Sequence, residues 1–285
     1  MDRYINCIAD GTSEGNLLLG DRHTALFDCG MMSCAGETVR NVKKALAGRT
    51  LDYIFMSHCH YDHIGALLFF RAEWPRLRLV TGQTGAETPL KETPRRVIRE
   101  MSLSAARVTD PAAHFEYDED AFRADITVRE GDAVPLGGVT VFPAETPGHT
   151  RDSLSFHVPE LKLLILCETP GVFLPDGTMH PCYLTGYRDT MMSIEKCRRL
   201  GAEVLSFPHR GIVPVDDTDA FFDGAAACNN ECYEFILSMR DRGFSVDEMV
   251  DAFAEKYGRE LILALQPLEA FTVNARATIA CTLRG

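Results

Sequence analysis

Residues 57 to 66, SHCHYDHIGA, place three of the chain's nine histidines and one aspartate within six positions. The stretch follows the apolar segment LDYIFM (51 to 56), which has the composition of a buried strand, and it precedes the apolar helical pattern of GALLFFRAEW (65 to 74). It therefore lies where a strand passes into a loop. Taken alone, such a stretch is either a polar surface loop or one half of a metal site.

Three later segments repeat this arrangement of a polar residue at the end of an apolar strand. His149 follows VTVFPA, Glu168 follows LKLLILC, and His209 follows AEVLSFP. In layered α/β proteins, sites are built from the loops at one end of a sheet, so we expect these groups to converge. Together with the first stretch they supply five histidines and two carboxylates. Imidazole and carboxylate groups bind zinc, iron and manganese, and their number suits a pair of ions.

The spacing within the first stretch predicts which side chains act together. In an extended or tightly turned loop, His58 and His60 point the same way, which leaves Asp62 and His63 to face a second ion. Cys59 lies between two predicted ligands, and by the same alternation we expect its thiol to point into the core.

This constellation resembles the metallo-β-lactamase-fold hydrolase superfamily, whose signature is His-x-His-x-Asp-His followed by a distant His, a bridging acid and a final His. The resemblance covers residues 1 to about 215 in motif order and strand pattern. It implies a four-layer αβ/βα sandwich with two metals at one edge. It further implies that His58, His60 and His149 hold one ion, that Asp62, His63 and His209 hold the other, and that Asp28 orients a ligand.

Glu168 stands where the family places its bridging residue, which is usually aspartate. Glutamate is longer by one methylene, so three interpretations are open. The backbone recedes and the bridge is kept, Glu168 binds a metal in another way, or it binds none and the second metal is held loosely. We rank the bridge first, because the preceding strand and the position between His149 and His209 both fit.

The remaining pattern predicts two parts in an α/β chain. Residues 1 to 215 alternate strand and helix patterns, with an antiparallel opening and a mostly helical segment from Thr84 to Val108 that Pro94 starts or breaks. We therefore expect a catalytic domain over residues 1 to 215 and an extension of about three helices over residues 216 to 285.

Charge and composition exclude several classes of function. The chain has a net charge of -12 and no basic block, which disfavours nucleic-acid binding. No stretch has the apolar length of a membrane span. The N-terminus shows no basic segment followed by an apolar one, so we expect a cytoplasmic protein with reduced cysteines.

The predicted activity is hydrolysis of a small carbonyl ester, thioester or lactone by a hydroxide that bridges two divalent ions, similar to the glyoxalase II branch of the superfamily. Zinc is the first choice of metal, with iron or manganese as alternatives, and Asp62 is the predicted catalytic residue. His180, Tyr183 and Tyr187 in MHPCYLTGY are candidates for binding the small-molecule substrate.

Two other functions stay open at this point. The ions could serve sensing or partner binding with little catalysis, or the protein could be a diiron oxidoreductase, although that branch has an acid where this chain has His60. The C-terminal helices either cover the mouth of the pocket or form a homodimer face.

Overall fold

The computed structural model describes residues 2–9, 15–109, 118–258, 260–266 and 268–284. Its strands form two six-stranded sheets and one short hairpin. In chain order the strands of the first sheet are β1 (Tyr4–Asn6), β2 (Asn16–Leu19), β3 (Thr24–Phe27), β4 (Tyr53–Phe55), β5 (Arg78–Gly82) and β6 (Ile126–Val128). Those of the second half are β7 (Val134–Pro135), β8 (Thr140–Glu145), β9 (Leu154–Val158), β10 (Leu163–Ile165), β11 (Val172–Phe173), β12 (Met179–His180), β13 (Val204–Phe207) and β14 (Gly211–Ile212).

The described α-helices lie between and after these strands. They are α1 (Ala35–Leu46), α2 (Tyr61–Ile64), α3 (Leu67–Glu73), α4 (Gln83–Glu87), α5 (Glu92–Thr109), α6 (Tyr187–Arg199), α7 (Thr218–Asp241), α8 (Val246–Tyr257), α9 (Glu260–Leu265) and α10 (Leu268–Arg284). In the described parts of the chain, no helix combines the length and the apolar character that crossing a bilayer requires.

The first sheet runs in the order β1-β2-β3-β4-β5-β6 and the second in the order β14-β13-β10-β9-β8-β7. β1 to β3 are antiparallel, as the opening of the sequence predicts, whereas β3 to β6 are parallel. In the second sheet, the parallel pairing of β10 with β13 brings the ends of these two strands to the same edge.

Alternation along each strand divides the core into layers. In β4, Ile54 packs toward the helices α1 and α3, whereas its neighbour Phe55 packs between the two sheets. In β10, Leu163 faces the space between the sheets, and Leu164 packs toward α6 and α7. The result is helices, sheet, sheet, helices, which confirms the predicted four-layer αβ/βα sandwich.

Two predicted segments differ in detail. The stretch from Thr84 to Val108 contains α4, a 3-10 turn and α5. Pro94 lies within the first turn of α5, where a backbone N–H has no partner inside the helix, so its missing N–H costs no helical hydrogen bond. The C-terminal region contains four described helices instead of about three, because a short additional helix, α9, precedes the last predicted helix, which is α10. The division at residue 215 stays a prediction, and the packing of α7 on the second sheet crosses that position.

Candidate metal centre

The predicted site residues meet at one edge of the two sheets. His58 follows β4, His149 follows β8, Glu168 follows β10 and His209 follows β13, so the convergence of strand ends inferred from the sequence is present. His60 precedes the short helix α2, which carries Asp62 and His63.

The ligand atoms form two groups, and within each group they lie within 4.8 Å of one another. The first group contains His58, His60, His149 and Glu168, and the second contains Asp62, His63 and His209. In the first, Nε2 of His149 lies 3.0 Å from Nδ1 of His60. In the second, Oδ2 of Asp62 lies 3.9 Å from Nε2 of His63 and 3.7 Å from Nε2 of His209.

Glu168 lies between the two groups. Its Oε2 is 2.9 Å from Nε2 of His149 and 3.8 Å from Nε2 of His63, while its Oε1 is 3.2 Å from Nε2 of His209. One carboxylate therefore reaches histidines of both groups, and the longer glutamate side chain fits into the site without displacing either.

A network behind the ligands holds their ring orientation. Nδ1–H of His63 donates to Oδ2 of Asp28 at 2.9 Å, and the Ser57 hydroxyl donates to the same oxygen at 2.6 Å. Because that hydroxyl has only one proton, it accepts from Nδ1–H of His58, at 3.0 Å. Nδ1–H of His149 donates to the Cys182 carbonyl at 2.8 Å. In all three rings the hydrogen bond at Nδ1 leaves Nε2 directed toward the site, which is the orientation that metal binding through Nε2 requires.

Two buried histidine nitrogens fit metal binding by a test that does not depend on the motif. Nε2 of His58 and Nε2 of His63 are buried, and neither has a hydrogen-bond partner among the described residues. An unpaired buried nitrogen costs about 1 to 3 kcal/mol, and a metal ion offers each of these nitrogens a partner. The donor set of imidazoles and carboxylates suits zinc, iron or manganese.

Burial and neighbouring charges give the histidines different proton affinities. Burial, together with His149, lowers the pKa of His60 to about 4. For His63 burial acts in the same direction, but the carboxylates of Asp28 and Asp62 outweigh it and raise the pKa of His63 to about 9. Burial opposes ionisation of Glu168, yet His149 and His209 outweigh it and hold the pKa of Glu168 well below its usual range.

Three residues in or next to the loops of the site, Asp28, Gly148 and His209, have a backbone conformation with positive φ. Asp28 has φ of 53° and His209 has φ of 60°, which is uncommon for residues other than glycine and recurs at functional sites. Gly148 has φ of 141°, and a Cβ there would lie 2.1 Å from Oγ1 of Thr190. Glycine at this position lets the loop that carries His149 pack directly on α6.

A cavity of about 310 Å³ opens above these groups. Five of the seven predicted ligands line its floor, namely His60, Asp62, His149, Glu168 and His209. Its walls come mainly from α5, from the segment between β10 and α6, and from α9 and α10. The C-terminal helices therefore cover the pocket, which is one of the two roles expected for them.

The three predicted substrate-binding residues lie outside the lining of this cavity. His180 is buried among the rings of Phe253, Tyr257 and Phe271 of the C-terminal helices. Tyr183 is fully buried, and Tyr187 stacks on Tyr233. Their substrate role stays a prediction, and the side chains that line the cavity are the better candidates.

Sequence analysis missed the residues that support or wall the site. Ser57 and the Cys182 carbonyl orient histidines, and Asp152 accepts the backbone N–H of Cys59 at 3.0 Å, which fixes the first loop against the loop that carries His149. Adjacency to His58 was a usable signal for Ser57. A backbone carbonyl leaves no signal in a sequence.

The fold and the site define an α/β protein with a histidine and carboxylate centre that could hold metal ions. Residues 16–209 match the model of the metallo-beta-lactamase superfamily, and the chain belongs to that superfamily. The expected family is thereby confirmed. Its members are mostly hydrolases, so the chain is a hydrolase-like member of a metal-binding superfamily.

Among curated proteins, the chain is similar to a hydroxyacylglutathione hydrolase of Rhodopseudomonas palustris, with 26% identity over 125 residues. That match covers 44% of this chain and only 36% of the relative. It is also similar to the metallo-beta-lactamase fold-containing protein ST1585 of Sulfurisphaera tokodaii, with 25% identity over 69% of this chain and 72% of that protein.

Solved structures support the same fold. The metallo-beta-lactamase family protein TTHA1429 of Thermus thermophilus superposes with a TM-score of 0.58 at 21% identity, over 95% of this chain and 87% of that chain. The ST1585 structure gives a TM-score of 0.57 at 20% identity, over 76% of this chain and 80% of that chain. At these identities the likeness establishes the fold alone.

Proposed function

We propose that this protein is a dinuclear metal-dependent hydrolase of a small carbonyl ester, thioester or lactone. The observation that carries the proposal is the position of Glu168, whose two oxygens face histidines of both ligand groups at 2.9 Å and 3.2 Å on the floor of the cavity. A ligand arrangement of this kind suits two ions that share one carboxylate.

His58, His60 and His149 would hold one ion, Asp62, His63 and His209 the other, and Glu168 both. Two bound divalent ions would supply a nucleophilic water at neutral pH and Lewis-acid polarisation of the substrate oxygen. We favour zinc, since all histidine nitrogens and carboxylate oxygens of the site are acceptable zinc ligands.

The chain's own groups orient the reactants. Asp62 lines the cavity and lies within 4 Å of both His63 and His209, so its second oxygen can accept a proton from the attacking water and fix its direction of approach. Asp28 keeps His63 in the tautomer that presents Nε2 to the site. The apolar walls lower the polarity around the floor, which strengthens the electrostatic interactions there.

Elemental analysis of the purified protein, followed by a hydrolysis panel, tests this proposal. We expect about two zinc ions per chain, turnover of at least one ester, thioester or lactone, and loss of turnover in Asp62→Ala. Full metal occupancy without turnover of any of these substrates, or of a phosphodiester, would favour the sensing or binding role instead. Iron content with oxygen or peroxide turnover would favour the diiron oxidoreductase.

A further inference from the structure

Three helices, α5, α9 and α10, wall the cavity with apolar side chains. Val97 of α5 and Val273 of α10 are 44% and 55% exposed, so they lie at the cavity mouth. Val172 and Ile262 are almost fully buried and line its interior. An apolar surface therefore extends from the mouth toward the floor, and a ligand that enters buries its own apolar part against it.

The cavity has no cationic side chain to receive an anion. Among the described residues that line it there is no lysine or arginine, whereas Asp62 and Glu168 both contribute carboxylates. Burying an anionic substituent against such a wall costs free energy, because no cationic side chain of the lining pairs with it. Because glutathione carries carboxylates at both ends, this wall differs from what a glutathione thioester would need.

Besides the phenol of Tyr61, two uncharged amides contribute polar side chains to the wall. Nδ2 of Asn274 donates to Oε1 of Gln266 at 3.0 Å, which ties α10 to the residue that follows α9. The pair retains an amide donor and an amide acceptor that bond to no other described residue. Such a pair can donate a hydrogen bond to, and accept one from, an uncharged polar group.

We propose that the substrate is an uncharged acyl ester, thioester or lactone whose apolar chain lies between α5 and α10. The carbonyl to be cleaved lies at the floor, and any further polar group on the chain is neutral. Hydrolysis adds the oxygen of water to the acyl carbon, breaks the C–O or C–S bond, and leaves a carboxylate, a proton and an alcohol or thiol. This inference rests on the proposed function and narrows its substrate class.

The test compares three p-nitrophenyl esters with the metal-loaded protein: the acetate, the hexanoate, and the adipate monoester, which has the hexanoate chain length but ends in a carboxylate. We expect kcat/KM for hexanoate to exceed that for acetate by about tenfold or more, and the adipate monoester to fall about tenfold below hexanoate. Values for the three esters that agree within about twofold would overturn the proposal.

Variants at the mouth connect this preference to the wall. Val273→Asp, and Val97→Asp on the facing helix, are expected to reduce kcat/KM for hexanoate to about the value for acetate. Both side chains are exposed enough for the fold to tolerate the substitution. The matched control is Leu268→Asp, on the same helix as Val273, 64% exposed and outside the cavity lining. Equal chain-length preference in Val273→Asp and Leu268→Asp would contradict the assignment of the wall.

The same variants keep the inference testable if no ester is hydrolysed and the proposed function fails. Saturation-transfer NMR with hexanamide then measures whether the cavity binds an uncharged apolar chain. Binding to the wild type and to Leu268→Asp, with weaker binding to Val273→Asp, would support the inference. Absence of binding, or equal binding to the two variants, would overturn it.

Discussion

Oδ2 of Asp28 accepts a hydrogen bond from Nδ1 of His63 at 2.9 Å. The same oxygen accepts the Ser57 hydroxyl, which in turn accepts from His58, so one carboxylate orients a histidine of each ligand group. Asp28 holds this position with a positive φ of 53°, which costs about 1 to 3 kcal/mol in backbone energy. The strain is consistent with a residue whose place is set by the centre it supports.

Asp28→Asn is expected to weaken metal binding by about 10- to 100-fold. Both carboxylate oxygens of Asp28 accept hydrogen bonds, Oδ1 from the Ser57 backbone N–H and Oδ2 from His63 and the Ser57 hydroxyl, whereas an amide has only one acceptor oxygen. Competition with a metal chelator measures the affinity. The control is Asp125→Asn, whose carboxylate accepts from Arg71 and from the backbone of Leu79 far from the ligands. The control variant should have a lower free energy of unfolding but the same metal affinity as the wild type. Equal metal affinity in Asp28→Asn and the wild type would refute the orienting role of Asp28.

Glu168→Gln is expected to reduce the metal content from about two ions per chain to about one, because a bridge between two cations needs the negative charge on both oxygens. Elemental analysis after gel filtration gives the stoichiometry. Glu145→Gln, an exposed glutamate at the end of β8, is the matched control and should keep both ions. Two tightly bound ions in Glu168→Gln would show that Glu168 is not a bridge and would favour one of the other interpretations of this position.

Metal binding should release a proton from His63. In the metal-free protein the pKa of His63 is raised to about 9 by the carboxylates that outweigh its burial, so the ring is protonated at neutral pH and must lose that proton to bind an ion. The apparent affinity therefore rises with pH up to at least about 9. Burial lowers the pKa of His149, but Cys182 and Glu168 outweigh it and hold that pKa well above its usual range, so His149 adds to the same dependence. His60, with its pKa lowered to about 4, adds no such dependence near neutrality.

Calorimetric titration in buffers of different ionisation enthalpy counts the released protons. Asp28→Asn is the informative comparison, because loss of that charge lowers the pKa of His63 and should reduce the release. A release that is the same in both proteins at neutral pH would rule out His63 as its source.

Gly148→Ala is expected to destabilise the protein by about 1 to 3 kcal/mol and to weaken metal binding, because the new Cβ would lie 2.1 Å from Oγ1 of Thr190 and shift the loop that carries His149. Gly177→Ala separates this clash from the backbone cost, since Gly177 also has a positive φ, of 81°, but has open space around it. Gly177→Ala should lower the free energy of unfolding by about 1 to 2 kcal/mol and leave metal binding unchanged. Thermal unfolding and chelator competition on both variants provide the comparison, and unchanged metal affinity in Gly148→Ala would contradict the role of this loop.

The layered fold and the convergence of ligands could be predicted because both leave local patterns. Apolar runs such as LDYIFM mark buried strands, and a polar residue at the end of each run marks the sheet edge. The wall of the cavity left no such pattern. Val97 and Val273 are ordinary apolar residues on helices far apart in sequence, and only the packing of α5 and α10 around the site makes them neighbours.

The placement of His180 and Tyr183 shows the same limit. Their segment lies in sequence between Glu168 and His209, which suggested proximity to the centre. The short strands β11 and β12, which the sequence pattern did not reveal, instead turn the segment toward the C-terminal helices. Position along the chain was thus a weaker guide than position at the end of an apolar run.

Tyr183→Phe distinguishes a core role from a substrate-binding role for this segment. The Tyr183 hydroxyl lies 2.9 Å from Oγ1 of Thr282, which itself donates to the Thr278 carbonyl, so the phenol donates to Thr282 inside the helical core. Its loss should lower the free energy of unfolding by about 1 kcal/mol and leave KM unchanged. Asn274→Ala, which alters the cavity wall, should raise KM with little loss of stability. A large rise in KM for Tyr183→Phe at unchanged stability would instead place Tyr183 in the substrate site, and denaturant unfolding alongside steady-state kinetics decides between the two.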